Sequence, residues 1–229
     1  MELIIVSIGT LSKNALWNER VPVRTSHATT TLLRVGGAGG ESNILVDPSL
    51  PGDILEARLL ERAGIGAEKI THVFLTNWRP VHRRGLERFT KAQWLMHETE
   101  MQAVGEALDR AEEQAARNAP EQEEVIRKER ALLEKMTAAP DEVAEGVQLY
   151  PLVGYTPGQC GLIVTTPTLT TVVAGDAVPT AGHFGAGQVF PDCWDLEKAK
   201  ESMGELYEVA DLIVPGHDNV FVAPRSAGM

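Results

Sequence analysis

The chain is poor in cysteine, in positive charge and in long apolar runs, and each shortage excludes something. Its two cysteines, at positions 160 and 193, cannot form a disulfide framework, so a reducing, cytoplasmic setting is expected. No apolar run approaches the roughly 20 residues that span a bilayer. The opening MELIIVSIGT, with Glu2 and only a short apolar run, reads as a first β-strand and not as a signal peptide. Lys and Arg number 21 against 32 Asp and Glu, for a net charge of −11, which argues against nucleic acid or an anionic membrane as partner. What is present is ordinary for a soluble globular protein: 43% apolar and 23% charged residues. The 229 residues can bury a substantial core without staples.

Strand-like and helix-like segments alternate along the first half. Thr29–Val35 and Asn43–Asp47 are rich in Thr, Leu, Ile and Val, and GGAGGES between them predicts a hairpin turn. Asp53 with Glu56 three residues on predicts a capping box for a short helix. Leu55, Leu59 and Leu60 would form its buried stripe and Gly64 its stop. Residues 72–76 read as a buried strand and Ala92–His97 as the next.

Residues 98–137 differ in kind. Met101, Val104, Leu108, Ala111 and Ala115 recur at helical spacing. Asn118-Ala119-Pro120 breaks the helix, and Val125, Leu132, Leu133 and Met136 are the expected stripe of a second one. Glu106/Arg110, Glu113/Arg117 and Glu123/Arg127 are expected surface pairs. Between 98 and 135 there are 11 acidic and 6 basic residues, a net of −5. A solvated helical hairpin is the plain reading, and a lid or a dimerisation arm the alternative. Short β segments return at Val147–Leu152, Gly161–Thr166 and Thr171–Gly175, with TTPTLTT as a turn. Asp195–Val209 reads as a last helix and Leu212–Val214 as a last strand. No linker-like segment divides the chain, so residues 1–229 are expected to form a single domain.

The chemistry concentrates in a few loops. ILVDPSLP (44–51) is followed by THVFLT (71–76), TNWRPVHRRG (76–85), GYTPGQCG (154–161), VVAGDAV (172–178) and IVPGHD (213–218). An Asp after a strand, a ligand-type loop, TPG, GD and PGH, in that order, resemble the metallo-β-lactamase superfamily. Among its members the chain looks most like the small hydrolase-type ones. The resemblance covers roughly residues 27 to 220 and implies an α/β, four-layer αββα sandwich. The helical hairpin at about 98–137 would be an insertion, and the motif loops would converge in one cleft. The family's loop reads T-H-x-H-x-D-H-x-x-G. Here Asn77 and Arg79 stand at its first two His positions, Val81 at its Asp and His82 at its last His.

Carried over by position, the first metal site would use Asn77, Arg79 and Gln159, none of which is an imidazole. These three are expected to line a ligand cleft. Of the second site and the bridging position, His82, Asp176 and His217 survive. Three ligands suffice for a catalytic zinc with an open position, and two His with one carboxylate can also hold iron. A single zinc or iron ion, or none, is therefore the cofactor expectation. One lactamase branch uses a single metal in the second site and carries Asn at the first position, but it keeps the Asp that Val81 replaces. Arg79 opposes an ion, because at ~4 Å and an effective dielectric of ~20 its charge would repel a dication by ~8 kcal/mol. It is expected instead to pair with Asp176.

The remaining candidates carry less. Asp47 matches the family's first-motif Asp and is read as structural. His183 is a candidate fourth ligand. Cys160, beside Gln159, could face the cleft, but nothing nearby in sequence would activate it. His72, His97 and Cys193 read as structural residues. Arg79, Arg83, Arg84 and Arg88 make a basic cluster that could meet an anionic ligand. Two functions follow. One is a non-catalytic or repurposed protein, a pseudoenzyme that binds a small molecule or a protein partner, with a homodimer through the hairpin as one form. The other is a one-metal hydrolase of a small ester, thioester, lactone or phosphodiester. Four lost ligands favour the first.

Overall fold

The computed structural model describes residues 1–37 and 40–224. Among them two six-stranded sheets pack together. The first runs β1 (Glu2–Ser7), β2 (Thr30–Gly37), β3 (Gly40–Val46), β4 (His72–Leu75), β5 (Gln93–Met96) and β6 (Thr137–Ala138) in spatial order. Its first three strands are antiparallel, and β3 to β6 run parallel. The second sheet holds β7 (Glu142–Ala144), β8 (Val147–Pro151), β9 (Cys160–Thr165), β10 (Thr170–Gly175), β11 (Leu212–Pro215) and β12 (Phe221–Val222). Of its neighbours only β10 and β11 are parallel. The helices are α1 (Gly52–Ala63), α2 (Pro80–Arg83), α3 (Glu98–Asn118), α4 (Glu123–Leu133), α5 (Ala181–Gly185) and α6 (Leu196–Val209).

Strand sequences with no polar alternation need both faces covered, and here they are. Leu33, Ile44, Val46 and Phe74 of the first sheet meet Leu162, Val173 and Val214 of the second in the central core. Their neighbours one residue away point the other way, because successive strand side chains alternate. Leu32, Leu45, Val73 and Leu75 therefore face α1 and the α3–α4 hairpin, while Val172, Ala174 and Ile213 face α5 and α6. The result is four layers, αββα. Each fully buried Leu or Val in them contributes roughly 1.5–3 kcal/mol.

Several local expectations are corrected. α1 begins at Pro51 without a side-chain cap, so the Asp53–Glu56 capping box does not form; Asp53 lies inside the first turn. Leu60 is exposed, since Leu55 and Leu59 already fill the contact with the sheet. Gly64 does end the helix, at φ +66°. In α4 the buried residues are Ile126 and the expected Leu133, while Val125 points outward. Glu124 pairs with Lys128 there, and no Glu123–Arg127 pair forms among the described residues, whereas Glu106–Arg110 and Glu113–Arg117 do pair. The tip of the GGAGGES turn, residues 38 and 39, lies outside the described residues.

Candidate metal centre and its cleft

The site is built on strand ends. Asp47 follows β3, Thr76 and Asn77 follow β4, Asp176 follows β10, and Gly216-His217 follow β11. Because β3 runs parallel to β4 and β10 to β11, each sheet presents its loops at one edge. The two edges are joined where Cys160 N donates to Thr76 O at 3.1 Å. Two tight approaches require glycine. At Gly175, φ +55°, an added Cβ would lie 2.5 Å from Thr76 Oγ1, and at Gly216 it would lie 2.5 Å from Asp176 Oδ1. Asp47 is itself left-handed, at φ 51°.

His82, Asp176 and His217 converge. One ligand atom from each lies within 4.8 Å of the others, and all three residues are buried. His82 Nε2 is 2.8 Å from Asp176 Oδ2, and His217 Nε2 is 3.1 Å from Asp176 Oδ1. That second contact is close enough for an ion pair but leaves Asp176 Oδ1 without a hydrogen bond. The opposite ring atoms are held from behind. His82 Nδ1 lies 2.9 Å from Asp47 Oδ2 and 3.3 Å from Thr76 Oγ1. His217 Nδ1 lies 2.9 Å from the His27 carbonyl and 3.2 Å from that of Thr10. A carboxylate and a carbonyl only accept, so Nδ1 carries a proton in both rings, and Nε2, turned to Asp176, is the atom that would release any proton it holds and offer its lone pair to an ion.

Burial alone would lower the pKa of His82, but the carboxylates of Asp176 and Asp47 override it and raise it to about 10. Burial pushes Asp176 up, yet His82 and His217 more than offset this and hold its carboxyl well below the usual range. Without an ion, His82 is thus an imidazolium between two carboxylates. The chemistry of the donor set fits one divalent ion: two imidazoles with the correct tautomer, one carboxylate, and one carboxylate oxygen with no hydrogen bond.

The other three positions do not fit one. Asn77 Nδ2 donates to Gln159 Oε1 at 3.0 Å and to Asp176 Oδ2 at 3.3 Å, while Gln159 Nε2 donates to Ala174 O at 3.0 Å. Asn77 Oδ1 accepts from Arg79 N at 2.9 Å. The two amides therefore satisfy one another and the Asp176 carboxylate. The expected Arg79–Asp176 pair does not form. The Arg79 guanidinium lies over the ring of Tyr155, 4.7 Å from its centroid, because His82, His217 and Asn77 already surround the carboxylate.

His183 is not among the converging donors. Its Nδ1 lies 2.8 Å from Thr180 Oγ1, and burial followed by nearby His217 lowers its pKa. Cys160 is corrected from cleft to core: it is fully buried, and burial pushes its thiol up to about 12. Half of the basic cluster is consumed, with Arg83 paired to Glu129 and Arg88 to Glu56.

Three residues matter more than their sequence context showed. Asp47 touches His82 directly. Glu100, 2% exposed, accepts from Trp78 N at 3.1 Å, Thr156 Oγ1 at 2.7 Å and Gly158 N at 3.0 Å. Glu129 accepts from Trp78 Nε1 at 3.1 Å. The two glutamates tie the hairpin to the site loops. The one signal for Glu100 was its place beside Met101 on the helix's apolar stripe.

The solved structures that resemble this one share its fold at low identity. A metallo-β-lactamase-type protein of Thermotoga maritima is 18% identical over 96% of this chain and 98% of its own, with a TM-score of 0.65. AidC, a dizinc quorum-quenching lactonase solved with its product, is 16% identical over 88% and 78%, at 0.62. An N-acyl homoserine lactone hydrolase with product at its catalytic metal centre is 20% identical over 94% and 92%, at 0.61. No curated protein sequence matches the chain. A family model described as the metallo-β-lactamase superfamily matches residues 24–217. Taken with the αββα layers and the order of the motif loops, that match means that this chain belongs to the metallo-β-lactamase superfamily.

Proposed function

We propose that the protein is a one-metal hydrolase whose ion is held by His82, Asp176 and His217 and whose substrate is a small ester, thioester, lactone or phosphodiester. The observation that carries this reading is the backing of both histidines: Asp47 on one Nδ1, two backbone carbonyls on the other. Such contacts orient imidazoles toward a metal. Zinc suits the set best and iron second. A bound ion would polarise a substrate oxygen and make water more acidic. The chain's own residues set the rest. Asn77 donates to Asp176 Oδ2 and fixes that carboxylate. Tyr155 and Phe190, with ring centroids 5.1 Å apart, present an apolar wall beside His217 and His183. The hydrolase reading also draws on the relatives, since AidC is a lactonase. The two cysteines are unpaired, which supports a reducing compartment.

The His82 imidazolium favours a second reading. With Asp47 and Asp176 on either side, the ring supplies one positive charge to the two carboxylates without an ion, which suits a non-catalytic ligand-binding protein. Metal analysis separates the two. Protein titrated with zinc and desalted should retain one ion per chain, lose it in His217→Ala and keep it in His183→Gln, with ester or lactone hydrolysis following the ion. Failure to retain zinc at equimolar concentration would overturn the hydrolase reading in favour of the second.

A further inference from the structure

A groove of about 450 Å³ runs between the site loop and the α3–α4 hairpin, a size typical of small-molecule sites. Its walls are largely apolar: Trp78 and Pro80 from the site loop, Val104, Ala107 and Leu108 from α3, and Pro157 from the TPG loop. The charged groups along it are almost all engaged. Glu100 is covered by two backbone N–H groups and the Thr156 hydroxyl. Glu129 is taken by Arg83 and Trp78 Nε1. Arg110 leans toward Glu106 at 3.9 Å.

Arg79 is the exception. It lines the groove, and among the described residues no carboxylate lies within ion-pair distance of it. Its guanidinium lies over the Tyr155 ring, 4.7 Å from the centroid, and among the described residues its side-chain donors make no hydrogen bond. Arg79 N donates to Asn77 Oδ1 and Asn77 Nδ2 donates to Asp176, so the groove's charged end borders the metal-centre residues. An apolar channel ending in one unspent guanidinium, in a chain of net charge −11, is complementary to one kind of ligand.

We propose that this groove binds an aliphatic carboxylate, with the hydrocarbon chain along Val104, Ala107, Leu108 and Trp78 and the carboxylate on the Arg79 guanidinium. Planar, two-point recognition of a carboxylate is what a guanidinium does better than an ammonium. The apolar walls favour chain over headgroup. This goes beyond the hydrolase reading and needs no ion in the triad, so it is tested on chelator-treated protein.

Isothermal titration with decanoate, acetate and decanol is the experiment. Decanoate should bind at least about tenfold more tightly than either of the others. Arg79→Gln, a change at a half-buried side chain, should bring decanoate down to the level of decanol. Ala107→Trp, at an exposed helix position, should block the groove and abolish both. Thermal melting confirms that each variant is folded. Equal binding of acetate and decanoate would remove the groove from the account. Equal binding of decanol, or an unchanged Arg79→Gln, would remove the guanidinium, and absence of decanoate binding would overturn the proposal whole. Zinc retention is measured separately, so its loss would count against the hydrolase reading alone.

Discussion

His82 Nδ1 lies 2.9 Å from Asp47 Oδ2 in a fully buried contact, and this one pair sets what the other face of the ring can do. Asp47 keeps the proton on Nδ1 and leaves Nε2 to face Asp176. Asp47→Asn substitutes a weaker acceptor, so zinc affinity is expected to fall by about 10–100-fold. The loss should be seen in competition titrations against a fluorescent chelator. Zinc affinity equal to that of the native protein would show that Asp47 supports the loop only.

In the metal-free protein, stability should depend on pH through this network. The pKa of His82 is raised in the folded state from 6.5 to about 10. Its contribution is therefore fully present below pH 6.5 and is lost as pH rises toward 10. Asp176 is shifted the other way, from 3.8 downward, so its contribution holds above about pH 4 and is lost on acidification. The groups facing His82 are Asp47, Asp176, Thr76, Asn77 and, edge-on, the ring of His217. Urea midpoints of chelated protein should be highest between pH 4 and 6.5 and fall toward pH 10. His82→Gln should flatten the alkaline decline.

Removing Glu100 should release two loops at once. Glu100→Ala leaves Trp78 N, Gly158 N and the Thr156 hydroxyl without their acceptor, a cost of about 2–4 kcal/mol. For a chain of this length that corresponds to a melting point lower by roughly 5–15 °C. A shift under 2 °C would mean that water replaces the carboxylate freely.

Gly175→Ala should be among the most damaging single-methyl additions. The left-handed φ of +55° and a Cβ placed 2.5 Å from Thr76 Oγ1 act together, at about 2 kcal/mol or more. Gly204→Ala, where an added Cβ meets nothing within 4 Å in α6, is the control and should not destabilise.

Thiol labelling offers a simple check on Cys160. Its burial and its pKa near 12 predict that a disulfide reagent modifies Cys193 alone in the native state and both thiols in denaturant. Rapid labelling of two thiols in the folded protein would place Cys160 outside the core described above.

Much of the fold and part of the site was legible in the residues themselves. The apolar runs at 43–47, 72–76 and 171–175 read as strands, and the loops that follow them hold the ligand-type residues. The resemblance of the motif loops to the family, carried over by position, singled out His82, Asp176 and His217. Periodicity alone did not separate Val125 from Ile126, because adjacent residues on a helix differ by only 100° and the neighbouring sheet decides which is covered. The partners of Arg79 were not legible either. Its charge suggested Asp176, but whether two opposite charges meet depends on what else fills the space, and His82, His217 and Asn77 had filled it. The same holds for Asp47 and Glu100, whose contacts span 35 and 58 residues of chain. Short-range pattern thus determined the elements, and the order of the motif loops, through its resemblance to the family, the candidate ligands. Only the packing of two sheets edge to edge decided which carboxylate holds which ring, and which guanidinium was left without a partner.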